Sequence, residues 1–233
     1  PASDLLGVGR ATRKVLDRYY IKTIGDLANT DPDLLKRWLG KNGVALWQFA
    51  NGLDCSTVAK TDFVSPVKSV GHGITTVADL ENGEQVWTVI LELTQEIGHK
   101  LRVHGLSAEG VALHIRDNTL YSKQWQTKID YPTQSPMIIA KTAYKLFEQK
   151  YPWQNHIRSV TVQAINLVPQ DTPRQIGLFM DCEKMDKFEK LDRCVEAIRQ
   201  RFGKDSIRNG VLCQNLKMPP EKAEIAMPTG MVG

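Results

Sequence analysis

The sequence has no apolar run long enough to cross a bilayer, which takes about 20 residues; its stretches of consecutive apolar residues end after a few positions. Its opening residues, PASDLLG, contain none of the basic, apolar and small-residue zones of a secretory signal, and they lack an initiator Met, as expected of a piece of something longer. Cysteine is scarce. Cys55, Cys182, Cys194 and Cys213 form no C-x-x-C pair and have no histidine at zinc spacing, so neither a disulfide framework nor a structural zinc site is expected, and the thiols read as reduced, in a cytosolic protein. An excess of one charge is also missing: the net +4 on 233 residues, with a pI near 8.8, says little about partners by itself.

What is present is concentration of that charge. Arg10 to Lys22 holds five bases (Arg10, Arg13, Lys14, Arg18 and Lys22) against one acid, Asp17, and so carries as much net charge as the whole chain. The stretch follows Gly7-Val8-Gly9, a turn that glycine forms cheaply because it tolerates positive φ. A glycine-rich turn opening into a basic helix offers unpaired N–H groups and cationic side chains to phosphate. A Gly-x-Gly triplet can equally be a plain connector, and it is the clustered charge that points to nucleic-acid backbone. Ala11, Val15, Leu16 and Tyr19 are expected to form the helix's core side, and a short helix near Thr23, with Ile24 and Leu27 inward, completes a helix-hairpin-helix.

A weaker hairpin follows over 31–53. Asp31 caps a helix with Pro32 at its first position, Leu34, Leu35, Trp38 and Leu39 pack, GKNG turns the chain, and Val44 to Phe49 returns. Residues 1–53 therefore read as a small all-helical domain and 54–66 as a polar linker. Over 67–167 the pattern becomes β-α-β-β-α-β: a strand at Val67–Thr76, a helix at Asn82–His104, a hairpin turning at Asp117 and Asn118 with Tyr121 to Ile129 returning, a helix from Ser135-Pro136, and a strand at Ile157–Asn166. That order predicts a four-stranded antiparallel sheet with both helices on one face, an α+β fold overall. Strand alternation assigns Lys68, His114, Arg116, Gln124, Gln126, Lys128, Thr161 and Gln163 to the open face. A merely solvated face has the same polar composition. Readers of single-stranded RNA share this strand order, but their basic-Gly-aromatic signature is missing, and Tyr121 and Trp125 are expected to point with Ile129 toward the helices. Duplex backbone suits the face better.

Residues 168–180 are extended and end in Gln175-Ile176-Gly177-Leu178-Phe179, which can dock in a partner's groove through one amide and two apolar anchors, or serve as a last edge strand that buries Phe179 at home. Lys184 to Phe202 is an amphipathic helix with Met185, Phe188, Leu191, Val195, Ile198 and Phe202 on one stripe, expected to fold back in cis through that stripe. After Asn215 the tail reads as loosely ordered.

Five segments in order resemble the C-terminal half of Y-family, DinB/UmuC-type (impB/mucB/samB) translesion DNA polymerases, over residues 4–208. LLGVGRATRKVLDRYYIKTIGDLA resembles the helix-hairpin-helix of the family's thumb, KSVGHGIT and IRSVTVQAINL the first and last strands of its little finger, QIGLF the sliding-clamp peptide of bacterial members, and RQRFGKDSIRNG the tail of UmuC-like members. The resemblance implies a thumb on the minor-groove side of primer–template DNA and a little finger in the major groove. The amides of Gly7, Val8 and Gly9 and the Arg10 side chain would hold phosphate, with Arg13 and Lys14 beside them. Lys68, Ser69, Gly71 and His72 would meet DNA along the first strand, next to Arg116, Gln124 and Lys128 of the open face. Such contacts position without reading sequence. It further implies a bacterial sliding clamp as partner of residues 175–179, other repair proteins as partners of the tail helix, no membrane, and a role in the SOS response and damaged-DNA binding in the cytoplasm at the nucleoid. The family's catalytic carboxylates and their Mg2+ belong to palm motifs that would lie upstream of Pro1, so no cofactor and no synthesis are expected of this chain alone. A stand-alone DNA-binding or clamp-adaptor protein is the alternative, and a single-strand RNA binder a third.

Overall fold

The computed structural model describes residues 1–173, 182–213 and 216–219. The chain forms two compact units that divide between Val64 and Ser65.

The first unit holds α1 (Arg10–Arg18), α2 (Ile24–Ala28), α3 (Pro32–Leu39) and α4 (Lys41–Ala50). Thr23 caps α2 by accepting from the Asp26 N–H, while the Asp26 carboxylate accepts from the Thr23 N–H, a reciprocal box that sets where α2 starts. Asp31 caps α3 ahead of Pro32 as expected. Around Ala2, Leu16, Ile21, Leu27, Leu35 and Leu46 the core is small, and its size explains two differences from the expected packing. Of the four residues assigned to the core side of α1, Leu16 alone is fully buried, and Tyr19 instead stacks on Trp38 at a ring separation of 3.6 Å. Leu34 is exposed while Leu35 fills the interior. The return helix also starts early, at Lys41, because Gly40 at φ +65° reverses the chain by itself.

Gly43 is where α3 and α4 touch. A Cβ there would overlap the backbone carbonyl of Leu35, which cannot swing aside as a side chain can. Gly43→Ala is therefore expected to lower the stability of this unit by about 2 kcal/mol, in the middle of the usual range of overpacking costs, despite alanine's better helix propensity. Thermal unfolding followed at Trp38 and Trp47 measures it, and an unchanged midpoint would show that the helices separate freely.

The second unit has the expected β-α-β-β-α-β order: β1 (Ser69–Leu80), α5 (Gly83–Val103), β2 (Leu106–Asp117), β3 (Ser122–Thr133), α6 (Pro136–Lys150) and β4 (Ile157–Pro169), followed by α7 (Cys182–Phe202). The sheet runs β1-β4-β2-β3 and every pairing is antiparallel. Its helix-facing side carries Val70, Val111, Leu113, Ile115, Val160, Val162 and Ala164, which pack on Val86, Val89, Ile90, Leu93, Ile97 and Leu101 of α5 and on Ile139, Ala143, Leu146 and Phe147 of α6. Asn82 caps α5 by accepting from the Gln85 N–H.

The β2–β3 turn corrects the expected hairpin. Asp117 accepts from the N–H and hydroxyl of Thr119 and from the Tyr121 N–H, and these bonds, the Thr119 hydroxyl's first, hold its carboxyl below the usual carboxylate range. The turn thereby takes in Tyr121, which precedes β3 and is 65% exposed rather than turned to the helices. Trp125 does pack against the core, as expected. Beyond α7, Leu212 is buried in the main core, Leu216 and Met218 pack against it, and the Lys217 carbonyl accepts from the Val77 N–H, so residues 216–219 are anchored rather than loose.

Candidate nucleic-acid interface

In the first unit the candidate site is the turn into α1. Gly7 sits at φ +92°, where an L side chain is strained and where a Cβ would also press on Leu46. The Val8 N–H donates to the Leu5 carbonyl at 3.1 Å and is thereby spent on the turn itself, which removes it from the three amides expected to hold phosphate. Gly9 is the N-cap of α1 and has no side chain with which to cap it, so the first-turn N–H groups of α1 receive no capping bond. Arg10, Arg13, Lys14 and Arg18 are exposed along the same helix. Arg13 is 3.7 Å from Asp17, an exposed pair worth little and easily exchanged for a phosphate. An uncapped N-terminus with cations in its first turns is a site for an anion.

In the second unit the candidate site is the sheet face away from the helices. Register places Ser69, Gly71, Gly73 and Thr75 of β1 there, with Ser159, Thr161 and Gln163 of β4, Gly110, Ala112, His114 and Arg116 of β2, and Gln124, Gln126 and Lys128 of β3. Relief is low. A Cβ on Gly71 or Gly73 would run into the side chains of Gln163 and Thr161, which lie across those positions. Arg116 reaches over β4 to donate to the Thr75 hydroxyl at 3.3 Å, leaving its Nε without a protein acceptor. No Asp or Glu occurs in the paired stretches 69–75, 110–116, 122–128 and 159–165, and none of their residues on this face is Phe, Tyr or Trp. The paired stretches of this face, with cations, amides and hydroxyls but no carboxylate, suit phosphate, and they hold there no Phe, Tyr or Trp on which bases could stack.

The structure does not bring all the expected residues together. Lys68 lies exposed just before β1, while Ser69 and Gly71 join the open face and Arg116, Gln124 and Lys128 stand with them. His72 alternates to the opposite side, with Val70 and Ile74, half-buried against the α5 side of the sheet. Burial pushes its pKa down, and nearby Lys100 adds to that, so the neutral ring is favoured there. Thr75 had no signal in the sequence, because its importance comes from the reach of Arg116 across an intervening strand. Gln175, Ile176, Gly177, Leu178 and Phe179 lie outside the described residues. Among the described residues no three metal-ligating side chains converge, and no helix is long and apolar enough to cross a membrane.

Both units have counterparts among known proteins. Residues 3–54 match the thumb domain of DNA polymerase-iota, and residues 67–178 match the impB/mucB/samB family C-terminal domain. A DNA polymerase IV of Acetivibrio thermocellus is 42% identical over 215 residues, 92% of this chain and 54% of that protein. A DNA polymerase IV 2 of Bacillus subtilis is 31% identical, over 89% of this chain and 50% of its own length. The chain thus spans about half the length of the curated relatives it matches. Among solved structures, a Y-family DNA polymerase chimera superposes with a TM-score of 0.60 at 14% identity, covering 72% of this chain and 47% of the other.

Proposed function

The chain belongs to the Y-family DNA polymerases, within the impB/mucB/samB group, and on that footing we propose that it grips duplex primer–template DNA without regard to sequence, as the thumb and little-finger portion of an error-prone polymerase in cytoplasmic DNA-damage tolerance. The observation that carries this reading is the sheet face whose paired stretches present no carboxylate and no Phe, Tyr or Trp, with Arg116, Gln124 and Lys128 on it. Phosphate contacts of this kind set orientation and leave the base sequence unread, which is what a polymerase working on any template requires. The Mg2+ and carboxylates of nucleotidyl transfer are assigned to the polymerase's palm, and no described residues here form a set that fits the ion.

Reversing two cations tests the sheet. Arg116→Glu with Lys128→Glu is expected to weaken duplex binding about tenfold or more in moderate salt, since each reversal replaces a phosphate attraction by repulsion. Mobility shift on a fluorescent primer–template reads it, and unchanged affinity would remove the open face from the interface.

Residues 175–179 are the proposed clamp contact, because a Gln followed by two terminal apolar side chains suits a groove on a bacterial sliding clamp. Leu178→Ala with Phe179→Ala should abolish retention on immobilised clamp while duplex affinity stays constant. A loss of folding instead would show that the peptide is a strand of its own domain.

A further inference from the structure

α7 lies on α5 through charged and amide groups rather than through its apolar stripe. Glu196, 7% exposed, accepts from Arg102 at 2.8 Å and pairs with His99 Nδ1 at 2.6 Å. One turn on, Arg199 donates to Gln95 and to the Ile207 carbonyl. The apolar residues Phe188, Leu191, Val195, Ile198 and Phe202 recur at alternating steps of three and four, the seam of a two-stranded coil. Phe188 is half-buried beside Lys141 of α6, but Leu191, Ile198 and Phe202 are 56%, 37% and 65% exposed. On the flank away from α5 stand Lys187, Lys190 and Arg201, all exposed, in a row that contains Cys194 and no acid.

We propose that this seam is a docking surface for an amphipathic helix of a partner protein, apolar on its facing positions and acidic on its flanks. Three large exposed apolar side chains on one stripe suit a packed helix, not a phosphate backbone. The all-basic flank selects an acidic one, since flanking charges choose the partner in paired helices. A second copy of this chain fits poorly. Antiparallel pairing of two α7 helices would oppose Lys187 and Arg201, and parallel pairing would need Asp192 to meet Lys187, whereas Asp192 Oδ2 is turned away from solvent. The surface shares no residue with the two proposed DNA contacts, and nothing in its argument depends on them.

The test uses the whole chain and two labelled synthetic helices of about four heptads, Leu at the facing positions of both, Glu on the flanks of one and Lys on the flanks of the other. Fluorescence anisotropy should show the Glu helix bound and the Lys helix bound about tenfold more weakly or not at all. Ile198→Asp with Phe202→Asp should abolish binding, with the thermal midpoint unchanged because both sites are exposed. Lys187→Glu with Lys190→Glu and Arg201→Glu should reverse the preference. Equal binding of both helices, binding of neither, displacement of the Glu helix by duplex DNA, or a dimer that Ile198→Asp dissociates would each overturn the proposal.

Discussion

Neutralising Arg10, Arg13 and Lys14 together is expected to flatten the salt dependence of duplex binding, the slope of log affinity against log salt falling by about 0.9 for each phosphate left without its cation. With three phosphates freed in this way, the slope would fall by about 2.7. All three side chains are exposed on α1, so the fold should be unaffected. A second substitution separates the helix terminus from the side chains. Gly9 has φ −82° and open space where a Cβ would be, so Gly9→Asp is accommodated without strain. The aspartate would cap α1, which stabilises the helix by a few tenths of a kcal/mol relative to glycine. It would also place a negative charge on the amides where a phosphate is proposed to sit, so stability should rise slightly while duplex affinity falls. Fluorescence titrations at several salt concentrations, with a melting curve for each variant, read both effects. A slope unchanged by the triple substitution, or undiminished affinity in Gly9→Asp, would take α1 out of the interface.

The opposite signs expected of Gly9→Asp express a general property of such a site. A helix end left uncapped is a small loss of stability that becomes useful only when a ligand supplies the missing acceptor. The first-turn amides of α1 and the small residues along β1 share this character. Each gives up local interactions within the chain and leaves a flat or unfilled polar surface.

Much of this was legible from residue order, because the signals are local. Thr23, Asp31 with Pro32, Asn82 and Ser135-Pro136 mark helix starts that the structure reproduces, and alternation along β2 and β4 gave the two faces correctly. What was not legible depends on contacts distant in sequence. His72 sits in a stretch, SVGHGIT, whose two glycines obscure the alternation, and the register with β4 decides that the histidine turns toward α5. The Val8 amide is consumed by a turn whose closure is invisible in a Gly-Val-Gly triplet. The largest departure is α7. Its apolar periodicity predicted a buried stripe, but α5 presents Gln95, His99 and Arg102 toward it, so complementary polar and charged groups determined which face packed.

That polar junction carries the second large effect. Glu196→Ala is expected to release α7 from α5, because Arg102, with a side chain only 14% exposed, would lose both of its bonds to the carboxylate. Removing one partner of a buried pair costs about 3–5 kcal/mol, most of it from the charge left behind. The cost falls on the junction, so amide exchange over 187–202 should accelerate steeply while β2 and β4 keep their protection. Acid should act in the same direction. Burial alone would raise the Glu196 pKa, but the bonds from His99 and Arg102 outweigh it and hold the carboxyl below the usual carboxylate range. A group depressed in the folded state contributes stability that is complete above its unfolded pKa, about 4.3 for glutamate, and is lost as pH falls through the lower folded value. The junction should therefore hold at neutral pH and loosen below about pH 4, and Glu196→Ala should abolish that acid transition because its loss has already occurred. If exchange over 187–202 is the same in the variant and the parent chain at pH 7, then the apolar stripe, rather than Glu196, holds α7 in place.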